Sequence, residues 1–129
     1  PILAGAFFLS PRWAAAAGVA APFLSTALTG MPPLYPPIAL WRAGELAAAG
    51  AVTSFVDGRF RPAPVVSVAA GLVAARLAQA GLVLATAGLA DLPPRFLTLA
   101  AFFASWPGML LALAAVPAAV ALLRRGRSR

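Results

Sequence analysis

Five apolar stretches, set apart by short segments of proline and arginine, run through the sequence from end to end. A helix that crosses a bilayer needs about 20 predominantly apolar residues, with about 17–25 as the usual range. The candidates are residues 1–10 (PILAGAFFLS), 13–28 (WAAAAGVAAPFLSTAL), 38–56 (IALWRAGELAAAGAVTSFV), 65–89 and 96–123. The first is short and reads as the tail of a helix. Backbone polar groups in hydrocarbon have to be satisfied within the chain, which favours helices for segments of this length. The predicted fold is therefore an all-α membrane protein, with five visible transmembrane helices in a single integral membrane domain over residues 1–129. Pro107 and Pro117 fall inside the last helix and are expected to bend it.

Composition narrows the chemistry. The chain is 62% hydrophobic and 10% charged. Its acidic residues are Glu45, Asp57 and Asp91, and all ten basic residues are arginine. Cysteine and histidine are both absent. Without cysteine there is no disulfide framework or thiolate chemistry. Without histidine, and with so few carboxylates, neither a zinc site nor a Ser-His-Asp triad is available. No catalytic residue, metal or cofactor is predicted, and the chain is not expected to be an enzyme. The net charge of +7 suggests nucleic acid at first sight. Most arginines sit at the ends of apolar segments, however, which is the habit of a chain whose partner is the lipid bilayer.

The connections are short and stiff: Pro11-Arg12, the four-proline stretch TGMPPLYPP at 29–37, DGRFRPAP at 57–64 and ADLPPR at 90–95. Alternate connections fall on alternate sides. One side carries Arg12, Arg59, Arg61, Arg124, Arg125, Arg127 and Arg129; the other carries Arg95, with Arg42 just inside the helix below it. The positive-inside rule makes the first side cytoplasmic. The expected location is a bacterial plasma membrane with the C-terminus inside and the two proline-rich loops outside. The chain begins with proline rather than methionine, and a preceding helix lost from the sequence is expected.

Two charges, Glu45 and Arg76, lie within apolar stretches. On insertion scales a charge at bilayer depth costs about 2.5–3.5 kcal/mol, so such residues mark binding, pairing or a wet cavity. Arg76 lies about 16 Å from either end of its helix at 1.5 Å per residue. It either binds a carboxylate or phosphate of a ligand or is locked to Glu45 or to backbone carbonyls. Gln79 shares its face. Glu45 is about 10 Å below the outer end of its helix, with Arg76 about 6 Å deeper. Helical side chains lean toward the N-terminus, so Glu45 would lean outward and Arg76 inward. That argues against a direct pair and favours Arg42, three residues before Glu45, as its partner. The two charges then read as two levels of one outward-facing pocket. Trp13 and Trp41 read as interfacial belt residues. Trp106, about 15 Å into its helix and next to Pro107-Gly108, either stacks on a flat ligand ring or packs against lipid or protein. Tyr35 is a lid or an interfacial residue, and Asp91 and Arg95, flanking Pro93-Pro94, belong either to a solvated loop or to a site. Small residues at Ala14/Gly18 and Ala47/Ala51 permit close helix approach, either within the bundle or against another membrane subunit.

The order of these motifs resembles a known family. A short helix ends in a Ser-Pro turn, followed by "PFLSTALTGMPPLYPP", "ELAAAGAV", "AARLAQAGL" and "SWPGMLLALAAVPAAVALLRR". Together they are similar to the S component of an energy-coupling factor (ECF) transporter, from the family's second helix to its sixth. The family's first helix, with its Ala-xxx-Ala coupling motif, is not present. A polar residue that commonly follows the last-helix Pro-Gly is Ala112 here. The resemblance implies a six-helix bundle that captures a vitamin or related micronutrient under its outer loops. It also implies as partners a transmembrane coupling protein and two ATPase subunits. The chain itself has no G-x-x-x-x-G-K-S/T nucleotide loop. Arg76, Glu45, Gln79, Trp106, Tyr35 and Arg42 are the substrate-binding candidates, and Ala14, Gly18, Ala47 and Ala51 the docking candidates. The rod-shape-determining scaffold proteins share a similar helical plan and stand as the alternative.

Overall fold

The computed structural model describes residues 2–31, 38–90 and 106–127, and among these all regular structure is helical. Five helices follow in order: α1 (Ile2–Ala6), α2 (Pro11–Thr29), α3 (Ile38–Phe60), α4 (Pro64–Ala90) and α5 (Trp106–Arg127). The first predicted helix is thus a single turn rather than a span, with a turn over residues 7–9. Among the described residues, two segments, Pro64–Thr86 and Trp106–Leu123, are long and apolar enough to cross a membrane. In α2 Arg12, two prolines and the hydroxyls of Ser25, Thr26 and Thr29, and in α3 Arg42 and Glu45, dilute the apolar character that α4 and α5 keep.

Local chemistry sets the helix ends. Pro11 and Pro64 occupy first helical positions, where the missing N–H is no loss. At the far end of α2, Gly30 is left-handed (φ 72°) and its N–H donates to the Thr26 carbonyl at 2.9 Å. The hydroxyls of the LSTALTGM stretch complete that end: Ser25 Oγ donates to the Met31 carbonyl at 2.8 Å and Thr29 Oγ1 to the Ser25 carbonyl at 2.8 Å. Helix α3 runs four residues past its expected end at 56. Arg61 takes a left-handed conformation (φ 49°) with its N–H on the Asp57 carbonyl at 3.0 Å, a cap usually made by glycine. Pro62 follows and prevents continuation.

Helix α3 is the centre of the bundle, in contact with α1, α2 and α4, while α5 lies against α4 and α1. Glycines make these contacts close. A Cβ at Gly18 of α2 would stand 2.5–2.6 Å from backbone atoms of Leu46 and Ala47 in α3. One at Gly50 would stand 2.9 Å from the Ala14 carbonyl oxygen. Ser54 Oγ of α3 donates to the Leu9 carbonyl at 2.6 Å and ties the α1–α2 turn to the central helix. Ala14 and Gly18 are buried in this α2–α3 seam. Their small-residue spacing serves close packing within the chain, the first of the two readings given for it. Ala47 contributes its backbone to the same seam, and Ala51 is half-buried.

Candidate functional site

The site lies between α3 and α4, near the N-terminal end of α3. Glu45 is buried, with a side chain 6% exposed. Its Oε2 accepts from Nη1 of Arg42 at 2.7 Å, the (i, i+3) partner expected from spacing. Its Oε1 is paired with Nη2 of Arg76 across the helix interface. Arg76, 12% exposed, also donates through Nη1 to Oε1 of Gln79 at 2.8 Å. The result is one chain of polar groups: Arg42, Glu45, Arg76, Gln79.

The direct Glu45–Arg76 contact corrects the reading of the two charges as separate levels. An offset of about 6 Å along the helices is within reach of an arginine. The three-methylene stem of an arginine can carry its guanidinium well away from its own Cα. The pull of a buried carboxylate overrides the usual lean toward the N-terminus. In an apolar surround both charges are costly unless paired and hydrogen-bonded, and here each is.

A second crossing of the same two helices lies beside the cluster. Trp41 is buried and its Nε1–H donates to Thr86 Oγ1 at 2.9 Å; Thr86 Oγ1 in turn donates to the Leu82 carbonyl at 2.7 Å. Trp41 is therefore an interior residue joining α3 to α4, not an interfacial belt residue. Trp13, by contrast, is exposed. Thr86 was not a candidate from sequence, although Arg76, Gln79, Val83 and Thr86 recur at helical spacing and lie on one side of α4. Gly44 makes room for Leu82, whose Cδ1 occupies the space a Cβ there would need.

Trp106 is 59% exposed on α5, and no hydrogen bond or ring contact among the described residues joins it to the cluster. Tyr35, Asp91 and Arg95 lie outside the described residues, as do most of the two proline-rich loops and positions 96–105 of the last predicted helix. Closer to the α3–α4 turn, Thr53, Ser54 and Ser67 form a second buried polar group that sequence reading did not single out. Isolated hydroxyls in an alanine-rich helix carry no spacing signal of their own. A cleft of about 420 Å³ opens at the α3–α4 turn, lined by Asp57, Gly58, Arg61 and Pro62. None of its lining residues belongs to the charged cluster, and none of them is buried. No three His, Cys, Asp or Glu side chains gather as a metal site among the described residues.

The arrangement can hold a polar group in an otherwise apolar bundle. Two guanidiniums face one carboxylate, so the cluster carries one net positive charge among the described residues. Comparison with known protein families, with curated proteins and with solved structures gives no match.

Proposed function

We propose that this chain is the substrate-binding membrane subunit of an ECF-type importer, capturing a vitamin-like small molecule from outside the cell for ATP-driven uptake. The observation that carries the reading is the buried Arg42–Glu45–Arg76–Gln79 chain. Intramembrane ionisable residues are expensive and are kept where they handle a substrate, an ion or a proton. The arginine distribution supports an outward orientation of the cluster: seven arginines lie on the side of the α3–α4 turn and the C-terminus, and the cluster sits toward the opposite end of α3. Two bilayer-length helices support the membrane setting. The chain contains no nucleotide-binding loop, so the energy for uptake comes from partner ATPases working through a coupling protein.

Purification of the chain in mild detergent, followed by denaturation and mass spectrometry of what is released, tests this reading. A stoichiometric small molecule of vitamin size is expected. Recovery of no small molecule, with cell-wall synthesis proteins retained instead, would establish the scaffold alternative.

A further inference from the structure

The cluster is not uniform in exposure, and the difference assigns its parts different tasks. Glu45 and Arg76 are enclosed, at 6% and 12% side-chain exposure, whereas Arg42 is 49% exposed. Both oxygens of Glu45 are engaged, one by each arginine. Arg76 spends one Nη on Glu45 and the other on Gln79. Arg42 has a single partner among the described residues, through one Nη on Glu45, and a guanidinium presents five N–H donors. Arg42 lies one turn into α3, and its half-exposed side chain keeps donors beyond the bond to Glu45 among the described residues.

We propose that the substrate carries an anionic group, a carboxylate or phosphate, and that Arg42 rather than Arg76 receives it, with Glu45 and Arg76 as positioning residues. This rests on the transport reading above and narrows it to a substrate class. Charge supports it from both directions. An anion on Arg42 brings the cluster from one net positive charge to neutral, which matters most where the dielectric is low. A cation would meet Arg42 first and would find the Glu45 carboxylate enclosed and already shared. A neutral ligand would leave the net charge uncompensated. Geometry supports it as well, since a planar guanidinium matches carboxylate and phosphate oxygens in pairs. Glu45, holding one Nη, fixes the direction in which the rest of the fork points.

The test uses matched pairs differing in one charge: nicotinate and nicotinamide, biotin and biotinamide, pantothenate and pantothenol, with thiamine as a cation. Each is titrated calorimetrically into the purified full chain in detergent after removal of any co-purified compound. The acid of at least one pair is expected to bind, with its uncharged counterpart about tenfold weaker or more. Arg42→Gln is expected to weaken the acid by a similar factor, and Arg42→Lys by less, at unchanged helical content by circular dichroism. Three results would overturn the inference: tighter binding of the uncharged or cationic compounds, equal affinity in Arg42→Gln, or no binding of any acid. The compound released on denaturation reads the transport reading separately. A neutral or cationic released compound sinks the anion assignment and leaves the transport subunit standing, whereas release of nothing removes both.

Discussion

Helices α3 and α4 meet in two different ways along one seam. Near the N-terminal end of α3 they are joined by long polar side chains reaching across: Arg76 to Glu45, and Trp41 to Thr86 at 2.9 Å. Toward the α3–α4 turn they are joined by backbone proximity. A Cβ added at Gly71 would stand 2.7 Å from the Ala49 carbonyl oxygen and would collide with Thr53 Oγ1. Val68, Ser67 and Thr53 are fully enclosed there. The tight end fixes spacing by shape and does not depend on any charge. At the other end the helices are held by hydrogen-bonded and charged side chains, of which Arg42 keeps donors beyond its bond to Glu45. In the proposed function, the tight end is the frame and the charged end is the site.

The largest expected effect breaks the charged end. Glu45→Ala leaves Arg76 enclosed and opposite Arg42, with the carboxylate between them gone. Removing one partner of a buried pair costs about 3–5 kcal/mol, against about 0–1 for an exposed one. Unfolding by heat or by titrated SDS, followed by circular dichroism, checks this. A loss in the exposed range would show the cluster to be hydrated. The joint replacement of Glu45→Leu and Arg76→Leu is expected to restore most of the lost stability, because apolar substitutes for a buried pair are often neutral or better. The same double variant is expected to lose substrate capture, which separates stability from function.

How much of this was legible in sequence follows from the range of each interaction. Arg42–Glu45 and Arg76–Gln79 are three residues apart on their own helices, so spacing alone placed them together. Pro11 and Pro64 read as turn residues, yet each opens a helix, and Gly30 closes α2; these ends follow backbone rules that need no neighbour. Glu45–Arg76 was misread because it depends on the register of α3 against α4. That register is set by contacts such as Gly71 with Ala49 and Gly44 with Leu82, which no single-helix periodicity contains. Trp41 failed for a related reason. An aromatic residue near a helix end looks the same whether its helix turns it to lipid or, as here, to Thr86. The Ala14/Gly18 spacing correctly announced close helix approach but could not say which helix approaches. Tyr35 and most of the proline-rich loops lie outside the described residues, so the roof expected over the site stands on the sequence alone.

A pair of glycine variants sharpens the comparison at intermediate size. Gly71→Ala forces a methyl group against a backbone carbonyl and a β-branched side chain, neither of which can swing away. Overpacking of this kind costs about 1–3 kcal/mol. Gly44→Ala meets only the tip of Leu82, a flexible side chain. Its rotation, together with a helix-propensity gain of up to about 1 kcal/mol, is expected to make that change nearly neutral. Equal losses in the two variants, measured by the same unfolding titration, would mean that the two ends of the seam are equally rigid.

The smallest expected effects come from two threonines on opposite ends of the seam. Thr86 accepts the indole N–H of Trp41, so Thr86→Val withdraws an oxygen from a buried donor and is expected to cost about 0.5–1.5 kcal/mol. Thr53 Oγ1 is enclosed and has no hydrogen-bond partner among the described residues. Thr53→Val keeps the branched shape against Gly71 while removing a polar atom whose burial is unfavourable, so it is expected to leave stability unchanged or raise it slightly. Opposite signs in these two variants, read by unfolding in the same detergent, follow directly from a seam that is polar and partnered at one end and shaped by close packing at the other. A loss in Thr53→Val as large as in Thr86→Val would place a hydrogen-bonding water at Thr53 and make the tight end as dependent on polar partners as the charged one.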